Sequence, residues 1–167
     1  MTARRALLLA AAVWMADQLT KAWVVTALPL GYSSGAVAGV FRLVHVRNRG
    51  IAFSLLHDGG PLVHIALQLV VAGVVVVLLV HLCRGTHDRW VGSGLALVLG
   101  GAVGNLTDRL LRGEVVDFLY FFVTTASGEL SWPAFNVADS AITTGAGLII
   151  LGELRRSWRG RRASTAH

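Results

Sequence analysis

Charged side chains are scarce: Asp, Glu, Lys and Arg make up 14% of 167 residues, and 54% come from the hydrophobic set. A soluble domain usually carries about 25% charged residues, and a chain of this length has no room for a second core. A water-soluble globule is thereby excluded. Cysteine is nearly absent; with Cys83 alone there is no intramolecular disulfide and no Cys-rich zinc or iron–sulfur site. No low-complexity segment, internal repeat or separate soluble region is evident. The mean hydropathy of +0.64 fits one integral membrane domain covering residues 1–167.

Four apolar stretches are long enough to cross a hydrocarbon layer of ~30 Å, which takes about 20 helical residues. They run from about 6 to 28, 61 to 83, 90 to 111 and 135 to 154. The expected fold class is therefore membrane all-α, with four transmembrane helices. The start, Met1-Thr2-Ala3-Arg4-Arg5 followed by Leu and Ala, has the look of a signal peptide. Its apolar run continues well past a normal h-region, so the segment reads as a retained span.

The net charge of +6 could suggest nucleic acid, but the arginines are distributed by side. Arg4, Arg5, Arg84, Arg89, Arg155, Arg156, Arg159, Arg161 and Arg162 fall on one side of the spans; Arg42, Arg47, Arg49, Arg109 and Arg112 fall on the other. Lys and Arg accumulate at cytoplasmic span ends, so both termini are expected in the cytoplasm. The basic tail, 155–167, reads as a topology signal and a contact for anionic lipids, with no nucleic acid partner. The outer segments, 29–60 and 112–134, are too long to be turns. The first contains Val40-Phe41-Arg42-Leu43-Val44-His45-Val46-Arg47, whose near alternation predicts a short strand or hairpin on the membrane surface.

Ionisable groups inside a membrane need a partner or a task, and here they share one level. Asp17 and Lys21, at i and i+4, sit on one face of the first span, ~16 and ~22 Å beyond Ala6 at 1.5 Å per residue. Self-neutralisation of that pair is the plain alternative to a functional role. Asn105, Asp108 and Arg109 share a face near the outer end of the third span. Asp117 follows, flanked by apolar residues in Val115-Val116-Asp117-Phe118, and Asn136 and Asp139 open the fourth span. Asn48 arrives from the first outer segment. The inner halves of the spans hold almost nothing ionisable. Purely structural polar groups should scatter with depth; clustering at the outer boundary marks a site. Gly100-x-x-x-Gly104 is a small-residue pattern that lets helices approach there.

The chemistry open to such a cluster is narrow. Ser54 and Ser140 have no histidine at a suggestive spacing, Cys83 lies at the inner end of the second span, and His45, His57 and His64 form no metal pattern. His64 and Gln68 read as an interior pair. Two aspartates held close in a poorly solvated site share a proton. The ionised one then takes a proton from water while the protonated one polarises a carbonyl oxygen. Asp117 and Asp139 are the best pair. Asp108 is less suitable, because Arg109 and Asn105 are placed to hold it ionised. Asn48 and Asn136 are placed to orient substrate or the pair. No metal and no cofactor are expected.

Five motifs resemble those of the bacterial lipoprotein signal peptidases (signal peptidase II), an aspartic peptidase family of the inner membrane. They are Asp17-Gln18-Leu19-Thr20-Lys21, Asn48-x-Gly50-x-x-Phe53-Ser54, Gly100-Gly101-Ala102-Val103-Gly104-Asn105-Leu106-Thr107-Asp108-Arg109, Val115-Val116-Asp117-Phe118 and Trp132-Pro133-Ala134-Phe135-Asn136-Val137-Ala138-Asp139-Ser140. They occur in the family's order, from the first span to the last. The resemblance implies Asp117 and Asp139 as catalytic aspartates, with Asp17, Lys21, Asn48, Gly50, Asn105, Asp108, Arg109 and Asn136 binding substrate or supporting the site. It implies a substrate, prolipoprotein carrying a diacylglyceryl group on its lipobox Cys, cleaved just before that Cys, and sensitivity to the cyclic peptide globomycin. A monomer in contact with membrane lipids is expected. The segment Phe122–Ser131 is longer and richer in Thr, Ser and Gly than the family pattern, which leaves its loop conformation open. A small transporter would spread its ionisable groups through both halves of the membrane, and an assembly subunit would show small-residue faces without a carboxylate pair.

Overall fold

In the computed structural model, which describes residues 1–48, 60–85 and 88–164, four long helices carry a small sheet at one end. The elements are α1 (Ala3–Ala27), β1 (Phe41–Asn48), α2 (Pro61–Arg84), α3 (Arg89–Arg112), β2 (Val115–Thr125), β3 (Gly128–Ser131) and α4 (Val137–Ser164). The helix bounds agree with the four apolar stretches to within a few residues, except that α4 runs on through the basic tail to Ser164. Arginine is a good helix former, so a tail that reads as a charged appendage continues the helix.

Among the described residues, three helical segments, Ile65–Arg84, Arg89–Arg112 and Val137–Arg159, are long and apolar enough to cross a membrane. α1 matches them in length at 25 residues but carries Arg4, Arg5, Asp17 and Lys21 within its span. Burial is inverted relative to a soluble protein. Leu19, Leu62, Leu69, Val77 and Ile150 are all more than half exposed, while Asp17, Lys21 and Asp108 are fully buried. Apolar faces turned outward and charges turned inward suit a chain whose solvent is hydrocarbon.

α3 is the central helix, packed against the other three, and glycine lets its neighbours come close. A Cβ on Gly100 would lie 2.5 Å from the Ala10 carbonyl oxygen, and one on Gly145 of α4 would lie 2.6 Å from the Gly94 carbonyl oxygen. The end of the bundle away from the sheet holds an apolar cluster of Ala6, Ala10, Leu82, Ala96 and Leu99. At the other end Val24, Val116 and Phe118 join α1 to the sheet, with Leu43 and Val137 packed on them.

The sheet has the order β1-β2-β3, antiparallel throughout. β1 realises the strand expected over 40–47. Between the Leu43–Leu119 and Val46–Asp117 pairs β1 carries one extra residue, a bulge at Val44 and His45, both of which are buried. Such a bulge re-aims the side chains that follow it. β2 and β3 form a hairpin across the Thr/Ser/Gly-rich segment, turning at Ala126 and Ser127 into Gly128, whose φ of 128° suits glycine. Phe135 exchanges backbone hydrogen bonds with Leu119 (3.0 and 2.8 Å). That bridge brings the start of α4 alongside β2.

Candidate active site

The site forms where α4 begins beside β2. Asn136 is the residue before α4, and its side-chain oxygen accepts a hydrogen bond from the Asp139 N–H at 3.0 Å. The Asp139 carboxylate returns the interaction, accepting from the Asn136 N–H at 3.3 Å. This reciprocal cap is the local reason for the Asn-x-x-Asp spacing, and it presents Asp139 on the first helical turn. The Asp17 carboxylate accepts from the Ala138 N–H at 2.9 Å, so α1 also satisfies a free donor of α4.

The Asn136 side-chain amide points the other way. Its Nδ2 donates to Asp117 at 2.7 Å, to Asn105 Oδ1 at 3.2 Å and to the Val116 carbonyl at 3.3 Å. One asparagine therefore holds both Asp117 and Asp139. Asn48 Nδ2 donates to the second Asp117 oxygen at 3.2 Å. Asn48 pairs with Val115 across the β1–β2 ladder, which makes Asp117 its diagonal neighbour on the same face. Asn105 Nδ2 donates to Asp139 at 2.8 Å.

Beneath these groups lies a second polar layer. Lys21 Nζ donates to Asp17 at 2.8 Å, Asn105 Oδ1 at 2.9 Å and Asp108 at 3.0 Å. An ammonium has three donors, and all three have partners. The Asp17–Lys21 pair is thus more than self-neutralising; it ties α1 to α3. Asp108 also accepts from the Val116 N–H at 3.1 Å, anchoring the start of β2, and pairs with Arg112. Gln18 donates to Asp17 at 3.1 Å and Asp108 at 3.3 Å. A Cβ on Gly104 would lie 2.5 Å from Asp17 Oδ2; only glycine leaves room for this layer.

Asp108 has two cations beyond the expected Arg109: Lys21 and Arg112 pair with it directly, while Arg109 reaches the Asn105 carbonyl at 3.5 Å and faces the charges of Asp139, Asp117 and Asp108. Asn105 turns to Lys21, Asn136 and Asp139 instead. Arg112, a helix turn after Asp108, and Gln18 belong to the site and were missed by the sequence reading; the i, i+4 spacing of Asp108 and Arg112 was the available signal. Nine of the ten expected site residues converge here. The tenth, Gly50, lies outside the described residues, as do Phe53, Ser54, His57 and the side chain of His64.

Asp117 is 3% exposed. Burial, and after it the charge of Asp139, push its carboxyl up from the ordinary 3.8 to about 7, against the pull of the Asn48 and Asn136 hydrogen bonds and of Lys21. Asp139 is half-buried. Two neighbouring carboxyls, one of which keeps its proton to about neutrality, can divide the roles of acid and base. Among the described residues, no group of three or more His, Cys, Asp and Glu could hold a metal ion.

Comparison with known proteins points the same way as this geometry. A lipoprotein signal peptidase of Azoarcus sp. is 47% identical over 152 residues, covering 89% of this chain and 82% of that protein. One from Aeromonas hydrophila subsp. hydrophila is 43% identical over 153 residues, covering 90% and 89%. A solved bacterial membrane enzyme, determined by the in meso method at 2.3 Å, is 29% identical, with a TM-score of 0.76 and coverage of 92% of this chain and 89% of its own. Residues 9–155 match the family described as signal peptidase (SPase) II. The chain is a peptidase of the signal peptidase II family.

Proposed function

We propose that the protein removes signal peptides from prolipoproteins carrying a diacylglyceryl-modified Cys, cleaving before that Cys, with Asp117 and Asp139 as the catalytic pair. The observation that carries this reading is Asn136, whose side chain holds Asp117 and whose backbone N–H holds Asp139. In this mechanism Asp117 keeps the shared proton, in line with a carboxyl pushed up to about 7, and Asp139 is the ionised partner. Asp139 takes a proton from water as the oxygen attacks the scissile carbonyl, and Asp117 donates to the developing oxyanion. Collapse of the tetrahedral intermediate breaks the C–N bond. The proton on Asp139 passes to the leaving amine, and Asp117 recovers its own from the new carboxyl group. Arg109, facing both acids, limits the negative charge of the site.

The topology we infer has four spanning helices, α1 included, with both termini cytoplasmic and the aspartates at the outer boundary. Nine arginines against five support that orientation, and the buried Asp17–Lys21–Asp108 cluster gives α1 a way to keep its charges away from lipid. A substrate whose acyl chains stay in the outer leaflet would then meet the acids at the interface. We take the working unit to be a monomer. A transporter is disfavoured because the inner end of the bundle is the apolar cluster around Leu82 and Leu99.

The test is cleavage of a lipidated and an unlipidated precursor by the purified full chain in detergent, read by mass analysis. Cleavage is expected before the lipidated Cys only, and Asp117→Asn or Asp139→Asn should each lower the rate by on the order of 10³ or more. Near-normal turnover in either variant removes that residue from the pair.

A further inference from the structure

At the far end of α3 from the aspartates, α3 and α4 flank an open cavity of about 440 Å³ lined by arginines 89, 155, 156 and 159. That volume falls within the ~300–1,000 Å³ typical of small-molecule sites. Trp90 and Asp108 bracket the bundle along α3, ~27 Å apart at 1.5 Å per residue, so this cavity and the catalytic cluster belong to opposite membrane faces. Gly152 forms part of the wall: a Cβ there would sit 2.9 Å from Val91 Cγ2 and 3.1 Å from Trp90 Cβ, so only glycine lets the α4 backbone close against the first turn of α3. The Arg155 guanidinium stacks over the Trp90 ring, 4.4 Å from its centroid, which orders one of the four cations.

The charge in the cavity is unbalanced. Asp88 is the acid in its lining, and Asp88 is already engaged in capping α3, accepting from the Trp90 N–H at 2.9 Å. Glu153 stands 3.6 Å from Arg156. Planar guanidinium groups converging on one space match phosphate oxygens. The surroundings indicate how that phosphate is carried. On the same stretch of α4, outside the lining itself, Trp158 is 67% exposed, Leu154 50% and Leu151 41%, apolar and aromatic side chains of the kind that lie against acyl chains and the headgroup level. A free anion would have no use for such side chains.

We propose that this cavity binds the phosphate headgroup of an anionic glycerophospholipid in the leaflet opposite the catalytic aspartates. Arg89, Arg155, Arg156 and Arg159 hold the phosphate, and the acyl chains run along the exposed apolar face of α4. The inference rests on the membrane character of the chain and not on its peptidase activity.

The purified full chain in dodecyl maltoside micelles is titrated with dioleoyl phosphatidylglycerol or dioleoyl phosphatidylcholine, and bound lipid is read by native mass spectrometry. The phosphatidylglycerol should bind at least about tenfold more tightly. Losing a direct charge-assisted contact to the held phosphate costs on the order of tenfold in affinity, so Arg155→Gln with Arg159→Gln should weaken it roughly 100-fold. Asp88→Asn should strengthen it, because the opposing charge is lost while asparagine still caps the helix; a gain of this kind cannot come from misfolding. Arg4→Gln with Arg5→Gln removes the same charge outside the cavity and should leave retention within about twofold. The proposal is overturned if the two lipids bind equally, if the Arg4 and Arg5 pair costs as much as the cavity pair, if Asp88→Asn gains nothing, or if equimolar inorganic phosphate displaces the lipid.

Discussion

Replacing Asp117 by asparagine removes a titratable proton from a side chain that is 3% exposed and preserves its shape. The unfolded chain loses this proton near 3.8, the folded chain near 7. Between those values the folded state holds a proton that the unfolded state has lost, so the acid's contribution to stability is present below 3.8 and lost as pH rises toward 7. At 1.36 kcal/mol per pH unit the loss is about 2 kcal/mol at pH 5 and about 4 kcal/mol at pH 8. Asparagine does not titrate. It must, however, turn an NH₂ toward Asn48 or Asn136, both of which donate to Asp117 in the native site. Donor facing donor costs about 1–3 kcal/mol at any pH. The absolute stabilities of the two proteins therefore depend on how those amides adjust, but the change in their difference does not. Between pH 5 and pH 8 the variant should gain about 2–3 kcal/mol on the parent, a shift of roughly 5–10 °C in relative Tm for a chain of this size. Thermal unfolding in one detergent at the two pH values measures it. A Tm difference that stays the same at pH 5 and pH 8 would mean that Asp117 does not titrate between them, and the catalytic assignment of its proton would fall. Since the charge of Asp139 is the second cause of the shift, Asp139→Asn should shrink the parent's own pH dependence.

The same proton governs rate: kcat/KM for a lipidated precursor should fall about tenfold per pH unit above about 7, and a profile flat from pH 6 to pH 9 would contradict it. Lys21→Met leaves the Asp17 and Asp108 carboxylates buried without their shared cation, which should lower stability by about 3–5 kcal/mol; an unchanged Tm would remove that lysine from the support of the site. Gly104→Ala places a Cβ 2.5 Å from Asp17 Oδ2 and should cost about 1–3 kcal/mol together with part of the cleavage rate. Gly73→Ala, with nothing within 4 Å, is the matched control and should unfold no earlier than the parent.

Composition and local spacing settled much of this molecule before any contact was known. A chain so poor in charge has to place its apolar faces outward, and the length of each apolar run follows from the thickness of hydrocarbon. Helical geometry alone puts Asp17 beside Lys21 and Asn105 beside Asp108. The Asn136–Asp139 spacing is legible in the same way, because a helix start needs a cap within its first turn. The tertiary structure decided what those groups then do. That Asp108 also answers to Lys21 depends on α1 crossing α3 at that height, and sequence separation carries no such distance. The β2–β3 hairpin forms over Phe122–Thr125, just beyond the last β1 pair at Phe121, so the Thr-rich end of β2 becomes a strand through its pairing with β3. Asn136 links the two acids only once Phe135 has joined β2. The ionisation of Asp117 is the clearest case: a carboxyl's affinity for its proton is set by the water it loses and by the charges that close around it, and both are properties of the assembled fold.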